Sequence, residues 1–308
     1  MISVQDIIYV RYQAPDLDLM ERFLGDFGLH RNARTDRTLY MRGCSTTPYL
    51  HVTDQGAEAR SIGFGLLARS EADLEQLAAE NDASVEDNHE PAGGRIVRLT
   101  DPSGYRIEVL HGVVPAEAMT ARDPLVGNPA AKRARFNQTH RLQAAPSHVH
   151  RLGHVALRVA DFEGSFRFFT EKLGFKVSDS GYAGTEDNVV GHFLRCGLGN
   201  GFTDHHTIAI FKRPESKIDH CGFEVLDWDD LMLGNAWLLK QGWRHQWGVG
   251  RHVEGSQVFD YWRDPFGQKI EHWTDGDQVN DEYAGKVSKL SPEGLFQWGP
   301  PVPQDFYL

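Results

Sequence analysis

The sequence predicts an α+β fold in which two tandem domains each contain two βαβββ units, with mixed, curled sheets that form open barrels. Two observations predict it. At four places along the chain, a stretch of alternating apolar residues is followed by a stretch whose apolar residues have the spacing of one face of a helix. In addition, three stretches of the first half recur in the second. The recurring stretches are 8–29 with 153–175, 63–80 with 222–239, and DPSGYRIE (101–108) with DPFGQKIE (264–271). The recurrence indicates four copies of one supersecondary unit, arranged in two tandem pairs.

Local signals justify each element of the first half. Residues 2–12 alternate as a strand, and Asp16 is the expected N-cap of a helix whose apolar residues reach Phe27 and which Gly28 closes. A second helix is predicted over 70–80. The other strands of this half are predicted near 37–43, 49–53, 60–67, 95–100 and 105–110.

Composition shifts divide the chain. The stretch 112–150 contains four prolines and little periodicity, which is typical of a connection between domains. Beyond Gly276 the chain is rich in proline with scattered aromatic residues, and we expect it to pack over the second domain. The predicted organisation is a first domain at 1–115, a connector at 116–150, a second domain at 151–275 and an irregular tail at 276–308.

Charge and cysteine usage exclude several functional classes. The 308 residues carry a net charge of −11, which argues against binding to the phosphate backbone of nucleic acids. Three distant cysteines form no CxxC motif, so neither disulfides nor a thiolate metal site is indicated. Because no long apolar run and no secretory signal pattern occur, we expect a cytoplasmic protein without a membrane span.

The repeat offers an internal comparison that singles out three residues. Aligning the recurring stretches pairs Tyr9 with His154, Ser61 with His220, and Glu108 with Glu271. Structural histidines would have no reason to occupy both positions in one half alone, so we predict a metal in the second domain and none in the first. Two imidazoles and one carboxylate form the facial triad that is typical of non-haem Fe(II), with positions left for substrate and O₂; Mn(II) suits the same ligands.

A longer motif lies between His252 and Glu271. The motif begins with a histidine, a seven-residue spacer and a position where an apolar residue is usual. A tyrosine follows, and after two further residues come a small or acidic residue, proline, any residue and glycine. A glutamate completes the motif. In this chain the matching residues are His252, Asp260, Tyr261, Asp264, Pro265, Gly267 and Glu271. On this motif the chain resembles the type I extradiol ring-cleavage dioxygenases of the vicinal oxygen chelate (glyoxalase/bleomycin resistance/dioxygenase) superfamily, over both domains. Asp260 departs from the pattern, which has an apolar residue there.

The resemblance implies Fe(II) held by His154, His220 and Glu271, and a homo-oligomer. It also implies an acid–base histidine in the segment DHHT, for which we favour His206. Strand alternation would point the neighbouring ring, that of His205, to the opposite face, as a surface histidine. His252 and Tyr261 resemble the pair that contacts the substrate oxygens in that family, and no organic cofactor is implied. Apolar walls for an aromatic ring are expected from residues such as Phe193, Trp247 and the aromatic residues of the tail.

The implied activity is cleavage of a catechol-type ring by O₂ to a ring-opened semialdehyde or keto acid, in aromatic compound catabolism. Two alternatives stay open from the sequence. A metal-dependent isomerase or lyase of the same superfamily would share the fold but would want a second carboxylate ligand, and a binding module would need no catalytic metal. Which diol is cleaved, and on which side, also stays open.

Overall fold

A computed structural model of the chain describes residues 2–307. Met1 and Leu308, the outermost residues of the predicted first domain and tail, lie outside the described residues. No helix among the described residues is long and apolar enough to cross a membrane.

The first half folds as two successive βαβββ units. Their elements are β1 (Val4–Ala14), α1 (Leu17–Phe27), β2 (His30–Arg34), β3 (Thr38–Arg42), β4 (His51–Gln55), β5 (Arg60–Ala68), α2 (Glu71–Glu80), β6 (Glu86–Asp87), β7 (Arg95–Thr100) and β8 (Arg106–His111). They form one eight-stranded sheet in the order β2-β3-β4-β1-β5-β8-β7-β6. The centre of the sheet is an antiparallel pair, β1 with β5, flanked by the parallel neighbours β4 and β8.

The second half repeats this plan. Its elements are β9 (Val149–Val159), α3 (Phe162–Arg167) continued by a π-helical turn (Phe168–Lys172), β10 (Lys176–Tyr182), β11 (Val189–Arg195), β12 (Thr203–Asp204), β13 (Ile208–Lys212), β14 (Lys217–Val225), α4 (Trp228–Gln241), β15 (Arg244–His252), β16 (Val258–Arg263) and β17 (Lys269–Thr274). The tail adds β18 (Gln278–Val279), β19 (Lys286–Lys289), a 3₁₀ turn (Pro292–Leu295) and β20 (Phe296–Trp298). The ten-stranded sheet has the order β19-β10-β11-β13-β9-β14-β17-β16-β15-β20, and β12 pairs with β18. The α+β class and the four βαβββ units are therefore confirmed.

The predicted helix caps form as expected. The side chain of Asp16 accepts a hydrogen bond from the Leu19 N–H, and Gly28 ends α1 with a φ of 108°. Ser70 caps α2 in the same way. The prediction omits β2, because its residues, HRNAR, are polar and mostly exposed and therefore carry no alternation of apolar residues.

The two sheets share a continuous hydrophobic core. Apolar residues of both halves belong to one cluster, and Tyr12 of β1 donates a hydrogen bond to the buried Cys221 thiol of β14. The ring of His272 in β17 stacks on Phe27 of α1, with ring centroids 3.6 Å apart. The tail crosses the open side of the second sheet, where β19 and β20 extend its two edges. The domain boundaries proposed from the sequence remain a prediction.

Candidate metal centre

Three side chains of the second half meet at the middle of the ten-stranded sheet. His154 lies on β9, His220 on β14 and Glu271 on β17, which are adjacent strands. The register places Gly222 directly between His154 and Glu271. Because His220 lies two residues before Gly222, its side chain emerges on the same face of the sheet. Strand pairing thus brings three distant positions of the sequence into one cluster.

The distances within this cluster fit a single cation. Nε2 of His154 lies 2.9 Å from Oε2 of Glu271 and 3.3 Å from Nε2 of His220. The His220 Nε2 lies 3.6 Å from the same carboxylate oxygen. Donors about 2.1 Å from one ion and at right angles to each other are about 3 Å apart. Gly222 makes room for this approach, since a Cβ there would lie 2.3 Å from Cε1 of His154 and 2.8 Å from Oε2 of Glu271.

The protonation states also suit metal binding. Glu271 is fully buried, and neither of its oxygens accepts a well-formed hydrogen bond from the described residues. Burial alone would raise the pKa of Glu271, but the neighbouring imidazoles, His154 foremost, lower it below its usual value. Burial lowers the pKa of His220, which favours the neutral imidazole that coordinates metals. These residues fit Fe(II) or Mn(II).

A charged network holds His220 in place. Nδ1 of His220 lies 3.2 Å from Oδ2 of Asp219, which also accepts a 2.6 Å hydrogen bond from Nζ of Lys269. Arg158 donates to the other oxygen of Asp219 at 2.7 Å. Burial opposes ionisation of Asp219, yet the Lys269 ammonium and its other partners hold the pKa of Asp219 well below its usual range. Such outer partners fix the orientation of a ligand histidine.

His252 and Tyr261 lie beside the cluster. Nδ1 of His252 donates to the Leu295 carbonyl at 2.9 Å, so in the neutral ring Nε2 is the acceptor for the Tyr261 hydroxyl, also at 2.9 Å. Nε2 of His252 is 3.6 Å from Oε1 of Glu271. Burial and the Glu271 carboxylate raise the pKa of Tyr261, which keeps the phenol protonated as a donor.

His206 lines the cavity in front of the cluster, with its ring centroid 4.8 Å from that of His154. Burial, together with the neighbouring imidazoles, lowers the pKa of His206. The sequence-based interpretation of His205 as a surface histidine is wrong. His205 is only 3% exposed and its Nε2 lies 3.0 Å from Oδ2 of Asp179. Strand alternation does not apply to this pair, because the segment 205–207 is irregular between β12 and β13.

The cavity has a volume of about 330 Å³ and is bounded by aromatic side chains and by the tail. Its walls include Phe193, Trp247, Leu295 and Phe306, and His154 and His220 lie on its floor. Trp247 stacks on Tyr261 with an interplanar angle of 12°. Apolar walls around a few convergent polar groups are typical of a site for a small aromatic molecule.

Asp260, where the motif departs from its usual apolar residue, lies on the other face of β16. Its buried carboxylate accepts hydrogen bonds from Trp262 Nε1 and Asn235 Nδ2 and pairs with His245 Nε2, the last at 2.7 Å. It therefore fastens β16 to the helix α4 and to β15, while its neighbour Tyr261 faces the cavity.

Sequence reasoning missed two residues that shape the centre, Gly222 and Asp219. Asp219 carries a signal that could have revealed it, because a carboxylate in a strand directly before a ligand histidine is unusual. Gly222 stands out only when the strand register is known, since its importance depends on lying between His154 and Glu271.

The first sheet has a different set of residues at the equivalent place. Gly65 lies between Tyr9 and Glu108 just as Gly222 lies between His154 and Glu271. The counterpart of His220 is therefore Gly63, and the pairing of His220 with Ser61 that the sequence suggested is wrong by two residues. Matching the Gly-Phe pairs misled the alignment, because the structurally equivalent glycine is the next one along β5.

Comparisons with known proteins agree with this architecture. The family model of the Glyoxalase/Bleomycin resistance protein/Dioxygenase superfamily matches residues 151–272. Metapyrocatechase 2 of Cupriavidus necator is 29% identical over 99% of this chain and 92% of its own length. The iron-dependent extradiol dioxygenase of Rhodococcus jostii (strain RHA1) is 25% identical over 91% of this chain and 92% of its own. The crystal structure of the Mn(II)-bound glyoxalase from Novosphingobium aromaticivorans aligns with a TM-score of 0.79 at 25% identity, over 99% of this chain and 94% of the other. Residues 151–272 therefore form a domain of the glyoxalase/bleomycin resistance protein/dioxygenase superfamily.

Proposed function

We propose that this protein is an Fe(II)-dependent extradiol dioxygenase that opens the ring of a catechol-type diol with O₂ to give a semialdehyde or keto acid. The observation that carries the proposal is the cluster of His154, His220 and Glu271, whose two histidines line an aromatic-walled cavity. Relatives that match nearly the whole chain include a metapyrocatechase and an iron-dependent extradiol dioxygenase.

The three residues would hold the metal through two Nε2 atoms and one carboxylate. Fe(II) bound there would bring a vicinal diol and O₂ to one centre and acidify the diol, as a metal does for bound water. Mn(II) fits the same ligands, and the iron named for the Rhodococcus relative favours Fe(II).

The remaining roles fall to side chains around the cavity. His206 would accept a proton from the diol and return it to the product, a contribution of about 10²–10⁴-fold to the rate. His252 and Tyr261 would hydrogen-bond the oxygens of the substrate, since the pair lies against Glu271 and faces the cavity. The apolar walls would seat the ring and exclude water around it.

The match to a glyoxalase makes a metal-dependent isomerase or lyase the second candidate function. Such an enzyme would call for a second carboxylate at the metal. Among residues 2–307, the cluster that contains His154 and His220 has Glu271 as its one carboxylate. This composition supports oxygenation, and it also disfavours a module that binds a ligand without catalysis.

Anaerobic loading with Fe(II) tests the proposal. We expect one iron per chain, O₂ uptake with catechol or an alkyl-substituted catechol, and a yellow ring-opened product. Glu271→Gln should lose both the iron and the O₂ uptake. Stoichiometric iron without O₂ uptake across a panel of catechols, but with isomerisation of a thiohemiacetal, would favour the second candidate instead. Homo-oligomeric assembly and a cytoplasmic location stay predictions, to be checked by light scattering and cell fractionation.

A further inference from the structure

A second group of ionisable residues, separate from the three metal-ligand candidates, lies next to His206. It consists of Asp179 on β10, His205 between β12 and β13, and Glu254 after β15. Asp179 is 1% exposed and His205 is 3% exposed. Buried charged groups of this kind are costly unless hydrogen bonds satisfy them.

Two hydrogen bonds connect Asp179 through His205 to His206. Nε2 of His205 lies 3.0 Å from Oδ2 of Asp179, and Nδ1 of His205 lies 3.2 Å from Nδ1 of His206. A carboxylate only accepts, so Nε2 of His205 is the atom that carries the proton. In the neutral ring its Nδ1 is then an acceptor, and the proton between the two rings belongs to Nδ1 of His206.

This arrangement leaves Nε2 of His206 without a proton. Its other ring nitrogen is occupied by His205, and the described residues supply no hydrogen-bond partner for Nε2. The ring lines the cavity and packs against His154 and Phe193. A neutral imidazole with a free Nε2 at the cavity wall is a base ready to accept a proton.

Several contacts keep Asp179 ionised and oriented. Its Oδ1 accepts a 2.8 Å hydrogen bond from the backbone N–H of Lys286, and the Tyr283 hydroxyl donates to both oxygens. Burial works against ionisation, but the hydrogen bonds from His205 and from the Glu254 carboxyl lower the pKa of Asp179 to about 2. Burial and the adjacent Asp179 carboxylate raise the pKa of Glu254, so Glu254 binds a proton more readily than Asp179 does.

We propose that Asp179 and His205 are positioning residues that fix the tautomer of His206 and present its unprotonated Nε2 to the substrate. This proposal rests on the acid–base role of His206 in the proposed function. The tail takes part, because the Lys286 N–H and the Tyr283 hydroxyl orient the carboxylate at the start of the chain of hydrogen bonds.

Asp179→Asn tests the proposal because the Lys286 N–H fixes the orientation of the new amide group. The amide oxygen of the new side chain continues to accept the hydrogen bond from the Lys286 N–H. The amide nitrogen therefore faces Nε2 of His205 and can form a hydrogen bond only if that Nε2 is an acceptor. The proton of His205 then moves to Nδ1, Nδ1 of His206 becomes the acceptor, and its Nε2 carries the proton. We expect kcat for ring cleavage to fall about 10²-fold or more, with iron content and KM little changed.

The matched control is Ser180→Ala on the next position of the same strand. Ser180 bonds Nδ1 of His192 at 2.8 Å, and that histidine stacks on Phe162 and Phe166 and does not line the cavity. The substitution Ser180→Ala removes a serine–histidine hydrogen bond between β10 and β11 and leaves the contacts of His206 unchanged. We expect this variant to keep the kcat of the unmodified chain.

A readout that does not depend on activity is the tautomer itself. Long-range ¹H–¹⁵N correlation spectra of ¹⁵N-histidine-labelled full chain, loaded with diamagnetic Zn(II), report which nitrogen of each ring is protonated. We expect His206 protonated at Nδ1 in the unmodified chain and at Nε2 in Asp179→Asn. An unchanged tautomer in the variant, or a changed tautomer with full kcat, would overturn the proposal.

His205→Leu covers the case in which Asp179→Asn does not fold. It removes the acceptor for the Nδ1 proton of His206, and we expect a similar loss of kcat with iron retained; full activity would reject the positioning role. Failure of the proposed function looks different. The unmodified chain would then bind iron and cleave no diol, while the tautomer spectra would still decide whether Asp179 controls His206.

Discussion

Nε of Arg11 lies 3.2 Å from Oε2 of Glu108, at the place in the first sheet where the second sheet has its cluster. The strand register makes Arg11 the counterpart of Ala156, which lines the cavity. Both halves therefore bury a glutamate at the same position, and each must supply a positive partner for it. In the first sheet the positive partners are arginines, chiefly Arg11 with Arg98 and Arg106 beside it, and in the second sheet we propose a metal ion.

The first prediction concerns this substitute for the metal. Arg11→Met removes the largest counter-charge of Glu108 and leaves the carboxylate with Arg98 and Arg106 on its other oxygen. We expect the free energy of unfolding to fall by about 3 kcal/mol. Urea unfolding measures the loss. Arg34→Met, which removes a more exposed arginine paired with Asp18 and Glu21, should cost no more than about 1 kcal/mol. Equal losses in both variants would argue against a special role for the buried pair.

The second prediction concerns Gly222. Its replacement by alanine places a methyl group 2.3 Å from the His154 ring, so we expect iron affinity to fall at least about 10-fold. Metal titration followed by elemental analysis measures this change. Gly25→Ala is the matched control, because open space surrounds Gly25 on α1. That variant should keep its iron and gain up to about 1 kcal/mol of stability.

The parts of the site that the sequence predicts are those marked by residues close together in the chain. The capped helices and the Asp-Pro-x-Gly turns are read from a few adjacent residues, and the three metal-ligand candidates stand out because the repeat supplies its own comparison. Gly63 and Gly222 were not understood, because their roles appear only once the strands are paired in register. The burial of His205 was missed because its partner, Asp179, lies 26 residues away in the sequence, and no local pattern connects them.

The third prediction concerns the proposed acid–base group. His206→Asn removes the ring but keeps a polar side chain, so we expect kcat to fall about 10²–10⁴-fold while the iron stays bound. Steady-state O₂ uptake and elemental analysis together measure both quantities. Unchanged turnover with full iron content would transfer the role to another residue. The iron content must be measured with the rate, because a variant that has lost its iron would be inactive whether or not His206 transfers a proton.

The fourth prediction follows from a buried histidine of the first sheet. Burial lowers the pKa of His51 from 6.5 to about 3, so the folded state resists a proton that the unfolded chain accepts. The contribution of His51 to stability is complete above pH 6.5 and is lost as the pH falls towards about 3. The loss is at most about 1.4 kcal/mol for each pH unit in this window.

His51→Gln isolates this effect. The difference in the free energy of unfolding between the unmodified chain and the variant should shrink as the pH falls from 6 to 4. Urea unfolding at several pH values measures it. The exposed His89 provides the comparison, since His89→Gln should change the free energy of unfolding by no more than about 0.5 kcal/mol. A constant difference for His51→Gln would show that this imidazole is not held neutral.

The last prediction separates two roles of Asp219. This carboxylate orients His220 and also neutralises the ammonium of Lys269, which is only 2% exposed. Asp219→Asn should therefore lower iron affinity about 10–100-fold and also destabilise the fold, because it leaves a buried cation without its counter-charge. Adding Lys269→Met removes that cation. If orientation of His220 controls the metal, the double variant regains stability in urea unfolding but not iron affinity. Recovery of both would mean that the unpaired ammonium, and not the lost orientation of the imidazole, had expelled the iron.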